Sequence, residues 1–534
     1  MAIINVSAAI SGADFQSLIN SSPAGTTLQL AAGTFNLDRT IRIERDDISI
    51  VGAGSDKTFI KVAKSLGAEA FAVGDGDRSG AFTLQQSVNQ GGTVLNLAGA
   101  HTFKVNDYVY IERKSTLAFY DSIGDETWRN TDVPLRTSIR KVVAVDDTRI
   151  TLAGGVHFDF TPSETTVREI DLARNITLRG FSIDYGLGTA DPSKFSNTLS
   201  AYNEDAVIVV EGTAGLKIGD ISARNVPSMG ISFGLSTAVS ADGLTFSGAH
   251  NKGAGGNGYA FEIRDTYDSD FKNLTDMDMR HSVVFASWRS AVGNNVHVLS
   301  TDRDINFHGG RHHANTVVVD RSVRDANSDI IGPTIFTNVT GTHYGAPVDP
   351  GANITTFGKV VGSRLADNVT GYATGSTLDG RAGDDTLTGG AAGDMLLGGA
   401  GNDLLCGTGG RDQISGEDGD DRIVGGAGKD TLAGNAGSDT FVFSRVIDSA
   451  PGAADAITGF NRADDIITLA AIDANLSKAA DQAFVWVGQK ANSAVIGTLW
   501  QTGNVIRGEI DGKDPYDFEI AIGPTALNAS DFIL

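Results

Sequence analysis

The sequence predicts an all-β fold in which a parallel β-helix is followed by a parallel β-roll of nonapeptide repeats. Three observations support this prediction: short β-branched segments bounded by glycine or aspartate, an apolar ladder that repeats every 22 residues, and a nine-residue repeat in the C-terminal third. The chain has 534 residues, of which 41% are hydrophobic, so it is long enough for a large core and wholesale disorder is excluded.

Charge and cysteine content exclude several classes of function. The net charge of −23, from 42 basic and 65 acidic residues, repels nucleic acid and anionic membranes, so neither is an expected partner. A single cysteine, Cys406, excludes an intrachain disulfide and a cysteine-based zinc site. No apolar run is long enough for membrane insertion, and the first residues lack the features of a cleaved signal peptide. These facts alone favour the cytoplasm, but the C-terminal third contradicts that interpretation.

The N-terminal two thirds begin with one short helix over residues 14–20, followed by strand-like segments such as TTLQLAAGTFNL and TIRIERDDISIVGAG. This pattern resembles the opening of right-handed parallel β-helix proteins of the pectate-lyase type, which implies a right-handed parallel β-helix over residues 1–345. Residues 103–160 are expected to be a β-rich insertion or extra coils, and residues 346–361 a linker. A β-sandwich with similar strand spacing is the alternative.

The coil period separates inward from outward positions. Phe261, Val283 and Ile305 are 22 residues apart, and Ile263, Phe285 and Phe307 follow the same spacing, so these side chains are predicted to face inward. The residues between them then face outward on three successive coils: Ala260, Glu262 and Arg264; Ser282, Val284 and Ala286; Asp304, Asn306 and His308.

The C-terminal third contains seven consecutive nonamers that start at Gly380, with aspartate at position six and an apolar residue at position eight. Six glycine-rich residues form a turn and three form a short strand, so two nonamers complete one coil of 18 residues. Stacked carboxylates and glycine carbonyls form an all-oxygen cage suited to Ca²⁺, and without the ion the carboxylates repel one another. A flexible linker is the alternative. The predicted calcium ligands are Asp385, Asp394, Asp403, Asp412, Asp421, Asp430 and Asp439.

This repeat resembles the RTX calcium-binding β-roll over residues 362–445. Residues 446–534 resemble the cap that follows such rolls, and their last residues resemble the C-terminal signal of RTX proteins exported by type I secretion. The resemblance implies Ca²⁺ as the cofactor, the type I secretion apparatus as a partner, and a secreted, extracellular protein.

A β-helix joined to an RTX roll resembles, in layout, the mannuronan C5-epimerases and the β-helix polysaccharide lyases. This implies an extracellular enzyme that acts on an acidic, uronate-containing polysaccharide such as alginate. The Asp-Pro-His-Glu motif of the epimerases is absent, as are the Asn-Thr-Asp and Gly-His-Gly motifs of polygalacturonase-type hydrolases. A lyase that cleaves by β-elimination is therefore the first expectation. An epimerase, a glycoside hydrolase with a carboxylate pair, and a non-enzymatic adhesin or matrix protein are the alternatives.

The candidate catalytic residues cluster on the outward positions of the three coils. Five of the nine histidines lie between residues 281 and 313, and histidine suits the base role because its pKa lies near working pH. His308 or His281 is expected to be the base, and Arg264 or Arg280 to neutralise the uronate carboxylate. Tyr259 or Tyr267 is a candidate acid. Glu262 and Asp304 are the carboxylate pair that a hydrolase requires. A merely solvated face is the alternative.

Overall fold

The computed structural model describes residues 2–325, 332–342, 344–478, 481–490, 495–513 and 515–534. The chain forms two compact units, Met1–Val318 with Phe336–Ile354, and Val319–Ile335 with Thr355–Leu534. The predicted all-β fold, a right-handed parallel β-helix followed by a parallel β-roll, is confirmed. Within the described residues, no helix has the length and apolar character needed to cross a bilayer.

Parallel strands between residues 3 and 337 stack into three sheets. The first sheet contains Ile3–Val6, Thr26–Leu30, Gly33–Leu37, Ile48–Val51, Thr58–Val62, Thr177–Asp184, Lys217–Arg224, Ser240–Ser247, Asp270–Met277, Asn295–Ser300 and Thr316–Val323. The second sheet contains Ile41–Ile43, Phe71–Val73, Ala206–Glu211, Met229–Gly234, Tyr259–Ile263, His281–Phe285, Ile305–Phe307 and Ile335–Thr337. The short third sheet contains Ala173–Arg174, Thr213–Ala214, Ser236–Thr237 and Thr266–Tyr267.

The N-terminal helix spans Gly12–Ser21, slightly longer than predicted. It begins there because the Ser11 hydroxyl accepts a hydrogen bond from the Asp14 amide, which is the usual role of serine at a helix N-cap. Phe15 and Ile19, four residues apart on one face, are fully buried. The other short helices of the described chain are Leu117–Ile123 and the 3₁₀ turns Ser200–Tyr202, Pro350–Ala352, Val446–Ser449 and Ala529–Asp531.

The predicted apolar ladders form the core of the β-helix. Phe261, Val283 and Ile305 are paired in register and almost completely buried, and the rings of Phe285 and Phe307 stack with centroids 4.6 Å apart. Ser282 was expected to face outward, and here the prediction is wrong. Its hydroxyl donates to the buried carboxylate of Asp276 at 2.5 Å, so it does not line the outer face.

Residues 78–170 form an antiparallel sheet inserted between two coils. Its strands are Arg78–Thr83, Val94–Asn96, Tyr108–Arg113, Arg136–Val145, Arg149–Leu152 and Thr165–Ile170. The sheet has its own core, which includes Val109, Val142 and Phe160, and its residues Tyr110 and Ile139 pack against Tyr267 and Leu235 of the parallel coils. The segment expected over residues 103–160 is thus part of a longer insertion rather than a set of extra coils.

Two strands per coil build the second unit. One sheet contains Ile354–Val361, Thr377–Ala382, Met395–Ala400, Gln413–Asp418, Thr431–Ala436 and Asp455–Thr458, joined by the later strands Val485–Gln489, Thr498–Thr502, Val505–Glu509 and Phe518–Ala521. The other contains Asn368–Thr370, Thr386–Thr388, Leu404–Cys406, Arg422–Val424, Thr440–Val442, Ile466–Thr468 and Phe532–Ile533. A short pair is formed by Gly409–Gly410 and Ala427–Gly428.

The roll repeats every 18 residues, as the nonamer period predicts. Leu378, Leu396, Ile414 and Leu432 pair in one register and are buried. Residues 346–361 were expected to be a linker, but they include the strand Ile354–Val361, which pairs with Thr377–Ala382. That part of the expected linker is therefore the first strand of the roll.

Candidate active site and calcium sites

Four polar residues form a hydrogen-bonded chain at the start of two adjacent coils, and we call them the histidine site: His281, Asp304, Asn306 and His308. The Asp304 carboxylate oxygens lie 2.8 and 2.9 Å from Nδ1 of His281. The Asn306 amide donates to Asp304 at 3.0 Å, and its carbonyl oxygen lies 3.3 Å from Nδ1 of His308. His281, Asp304 and Asn306 are all buried, so the geometry is held firmly.

The hydrogen bonds determine which nitrogen of each imidazole can act as a base. Because a carboxylate oxygen accepts hydrogen bonds, Nδ1 of His281 donates to Asp304, and Nε2 is the nitrogen that remains to act as a base. Burial, together with the nearby cationic side chain of Arg280, lowers the pKa of His308 to about 4. Burial raises the pKa of Tyr259, whose ring centroid is 5.4 Å from that of His281, to about 12. At neutral pH, His308 is thus a neutral acceptor and Tyr259 a protonated donor.

Glu262 and Arg264 form a second group on the preceding coil, whereas Arg280 has a different partner. Glu262 is buried, and it accepts hydrogen bonds from the Ser232 hydroxyl at 2.5 Å and from the Arg264 guanidinium at 2.7 Å. The Glu262 carboxylate in turn raises the pKa of Arg264. Glu262 and Asp304 therefore have different partners. Arg280 donates to the carbonyl oxygen of Gly253 at 2.6 Å.

Sequence analysis missed an aromatic cluster beside His308, formed by Trp128, Trp288, Phe336 and Tyr344. The two indole rings stack with centroids 5.4 Å apart at an interplanar angle of 7°, and the Tyr344 ring lies 4.5 Å from His308. Trp288 and Tyr344 remain 39% and 37% exposed. Exposed aromatic rings offer flat apolar surfaces, with a few polar groups nearby to orient a ligand.

The cluster draws on three separate segments, which explains why spacing along the chain did not predict it. Gly309 permits the close approach of one of them, since a Cβ at this position would clash with the Tyr344 carbonyl oxygen. The chain has four tryptophans, and their rarity was the one signal in the sequence that could have pointed to this cluster.

A cavity of about 330 Å³ lies where the coils meet the inserted sheet, and three arginines line it: Arg113, Arg136 and Arg311. We call it the arginine pocket. Arg136 lies over the Phe119 ring at 3.7 Å, and burial together with the charge of Arg113 lowers its pKa to about 10. Arg113 pairs with Glu164 at 2.8 Å. Guanidinium groups are suited to carboxylate ligands, and two carboxylates, Asp159 and Asp349, also line the cavity.

A second cavity of about 330 Å³, the carboxylate pocket, is lined by residues that include Glu211, Ser232, Arg264 and Asp265. Burial and the Asp265 charge raise the pKa of Glu211. Tyr267, a candidate acid, does not face the outer surface of the coils. It is fully buried, its hydroxyl donates to Asp265 at 2.5 Å, and its ring stacks on His157 beneath the inserted sheet.

The seven predicted calcium ligands form two files along the roll. In each, Oδ1 accepts from the backbone amide 18 residues earlier, as when Asp403 accepts from Asp385 at 2.7 Å. The last two amides, of Asp430 and Asp439, donate to Asp455 and Asp465. In six of the seven, Oδ2 is buried and has no hydrogen-bond partner among the described residues: Asp385, Asp403, Asp412, Asp421, Asp430 and Asp439.

These orphaned oxygens fit a calcium ion. A Cβ at Gly407 would clash with both Asp412 Oδ2 and the Gly425 carbonyl oxygen, so only glycine leaves this oxygen-lined space open. Carboxylate and carbonyl oxygens are the ligands that Ca²⁺ prefers. Burial and neighbouring carboxylates raise the pKa of Asp412 to about 7, which reflects the cost of charging these groups without a cation. The seven aspartates from Asp385 to Asp439 would hold Ca²⁺, and their carboxylates would supply the negative charge that balances the ion.

A known repeat family matches part of the roll. Residues 370–405 and 407–441 match the RTX calcium-binding nonapeptide repeat. The chain has no significant match among curated proteins. Among solved structures, it is similar to the tailspike protein gp49 of Pseudomonas phage LKA1, with 12% identity, a TM-score of 0.46, and coverage of 86% of this chain and 73% of that one.

Two further similar structures differ in what they cover. The DFA-IIIase of Arthrobacter chlorophenolicus A6 is 10% identical with a TM-score of 0.29, over 85% of this chain and 91% of that one. The AlgE6R3 subunit of the Azotobacter vinelandii mannuronan C5-epimerase is 23% identical with a TM-score of 0.16, over 33% of this chain and 82% of that one.

Proposed function

We propose that the first unit cleaves an acidic, uronate-containing polysaccharide by β-elimination. The observation that carries the proposal is the buried Asp304–His281 pair, which lies beside protonated Tyr259. It combines an oriented base with a proton donor, the two groups that an elimination requires. The exposed rings of Trp288 and Tyr344 support a sugar ligand, and the arginine pocket supports an acidic one.

In this proposal His281 Nε2 takes the proton from C5 of the uronate. The electron pair forms the C4–C5 double bond while the bond from C4 to O4 breaks, and O4 leaves with the proton of the Tyr259 hydroxyl. Asp304 stabilises the imidazolium that forms, as the aspartate of a catalytic triad does. Arg280, next to His281 in the chain, neutralises the C6 carboxylate and thereby acidifies H5. Water returns the proton from His281 to Tyr259.

Hydrolysis is the second candidate, favoured by the carboxylate pocket. Burial raises the pKa of Glu211, as a general acid requires, whereas Glu262 accepts hydrogen bonds from Arg264 and Ser232, as an ionised carboxylate does. Glu211 lines the pocket, and Glu262 contacts Ser232 and Arg264, which also line it. Two carboxyl groups with different environments are typical of glycoside hydrolases.

The test is incubation with a panel of acidic polysaccharides while unsaturated-uronate absorbance and reducing ends are followed together. The proposal predicts that both increase. Reducing ends alone indicate hydrolysis, and a changed NMR spectrum with neither signal indicates epimerisation. No change with any polymer contradicts the enzyme proposal and favours an adhesin or matrix protein.

Variants locate the site. His281→Ala and Asp304→Asn are expected to lower turnover by a factor on the order of 10² to 10⁴. The matched control is His297→Ala, on the strand Asn295–Ser300 of the first sheet. Glu211→Gln is expected to retain activity in a lyase and to lose it in a hydrolase. Full activity in both His281→Ala and Asp304→Asn contradicts the assignment.

We also infer that the protein is exported by the type I apparatus and that its roll folds with extracellular Ca²⁺. The match to RTX repeats supports this inference. The test by deletion needs a control, because Phe532–Ile533 is a strand paired with Ile466–Thr468. Deletion of residues 531–534 is expected to abolish export. Ile467→Ala loosens the same strand pair but leaves the terminal residues intact, so it is expected to be exported. Normal export of the deletion contradicts the inferred signal.

A further inference from the structure

We propose a cation site of a different kind in the second unit, outside the nonapeptide repeats, that binds Ca²⁺ in a hairpin loop. The loop joins the antiparallel strands Val505–Glu509 and Phe518–Ala521. Its ligands are the carboxylates of Glu509, Asp511 and Asp517. The proposal is independent of the enzymatic function of the first unit.

The first observation is an unsatisfied buried charge. Glu509 is completely buried, and its Oε1 accepts the Gly512 amide at 2.6 Å. Its Oε2 is also buried and has no hydrogen-bond partner among the residues that the structure describes. Burial and the Asp517 charge raise the pKa of Glu509. A buried carboxylate oxygen without a partner is destabilising unless a cation or a donor satisfies it.

The second observation is the arrangement of the other two carboxylates around Glu509. One oxygen from each of Glu509, Asp511 and Asp517 lies within 4.8 Å of the others. Ca²⁺ binds oxygen at about 2.3 to 2.6 Å, so ligands of one ion are separated by at most about 5 Å. The loop fixes the carboxylates, since Asp517 accepts the Ile510 amide at 2.6 Å and Asp511 accepts the Lys513 amide at 2.9 Å.

Before an ion binds, one ammonium group partly offsets the negative charge of the three carboxylates. The Lys513 ammonium donates to Asp511 at 2.8 Å, so the three ligand carboxylates and this ammonium, counted among the described residues, carry a net charge of −2. The Lys513 side chain is 79% exposed, and exposed ion pairs of this kind are weak. Ca²⁺ is expected to displace the ammonium from Asp511. Ca²⁺ is favoured over Mg²⁺ because it accepts irregular sets of carboxylate and carbonyl oxygens.

The test counts Ca²⁺ bound per full-length chain, by equilibrium dialysis and atomic absorption. Glu509→Gln keeps the acceptor for the Gly512 amide but removes the charge, and it is expected to bind one Ca²⁺ fewer than the wild type. The matched control is Glu519→Gln, a carboxylate on the neighbouring strand that pairs with Arg507, and its count is expected to be unchanged. An equal count in Glu509→Gln and the wild type overturns the proposal.

A second variant with the opposite sign protects the test against misfolding. Lys513→Gln removes the competing ammonium and is expected to tighten one Ca²⁺ site by a factor on the order of ten. Unchanged or weaker binding of every ion in Lys513→Gln overturns the proposal. The same measurement with Mg²⁺ alone is expected to give no difference between wild type and Glu509→Gln, and a difference as large as that for Ca²⁺ overturns the assignment to Ca²⁺.

Discussion

Replacing Asp412 by asparagine is expected to have opposite effects on the roll with and without calcium. In the structure, Oδ1 of Asp412 accepts the Asp394 amide at 2.8 Å. Its Oδ2 is buried, has no hydrogen-bond partner in the described part of the chain, and faces the same space as the Gly425 carbonyl oxygen. Asparagine keeps the first contact. It also places an NH₂ donor, instead of a second negative oxygen, near the carbonyl.

The size of each effect follows from these contacts. Without calcium, Asp412→Asn removes a buried unsatisfied oxygen and is expected to stabilise the second unit by about 1 to 3 kcal/mol. With calcium, a charged ligand is lost, and each tenfold loss of affinity lowers stability by about 1.4 kcal/mol. The pKa of Asp412 is raised to about 7, so the native carboxyl stays protonated to higher pH than the unfolded one. The wild-type unit without calcium is therefore destabilised as pH rises from about 4 to about 7.

The assay is thermal unfolding of the full chain at pH 8, followed by circular dichroism, in chelator and in millimolar calcium. We expect the melting temperature of Asp412→Asn to be higher than that of the wild type in chelator and lower in calcium. The control is Asp418→Asn, at an exposed position of the same roll, which is expected to shift neither. A decrease of equal size in both conditions refutes the reasoning, because it means that Asp412 acts only through its amide contact.

Three further outcomes test the β-helix. Phe285→Ala removes a fully buried ring stacked on Phe307 and is expected to lower the free energy of unfolding by about 3 to 5 kcal/mol in denaturant titrations; a loss below 1 kcal/mol contradicts the inward assignment. His308 is expected to titrate near pH 4 by NMR, and a midpoint near 6.5 shows that the site is solvated. Burial lowers the pKa of His312 to about 3, so the unfolded chain takes up its proton first, and stability falls as pH drops from about 6.5 towards 3. His312→Asn keeps an acceptor for the Ala291 amide and is expected to flatten this decline, which unfolding titrations between pH 4 and 7 measure.

The parts of the structure that repeat from coil to coil could be predicted from the sequence. A residue and its neighbour one coil away occupy equivalent positions, so the spacing of Phe261, Val283 and Ile305 was enough to assign the core. The same holds for the aspartate files of the roll, whose contacts join residues 18 apart. His281 and Asp304 were predicted separately, as a base and as one of two hydrolase carboxylates, and the structure pairs them.

The features that could not be predicted depend on contacts between segments that are not related by the repeat. Trp128 comes from the inserted sheet and Tyr344 from a late segment, and only tertiary packing brings them to His308. Alternation failed at Ser282 because the strand begins with a hydrogen bond to the buried carboxylate of Asp276. The expected linker over residues 346–361 was wrong in part because one strand, Ile354–Val361, lacks the nonamer signature but pairs with the roll.

The aspartate files link each coil of the roll to the next, and the series ends at the cap. Each coil supplies the carboxylates that receive the amides of the coil before it, and Asp455 and Asp465 of the cap supply those for the last coil. The strands of each coil pair with both neighbours, but the carboxylates that accept its amides lie on its C-terminal side. Growth is expected to be nucleated at the cap and to propagate towards the N-terminus, with stability that falls stepwise as coils are lost from the cap. The cap is then expected to be the place where the roll starts to fold.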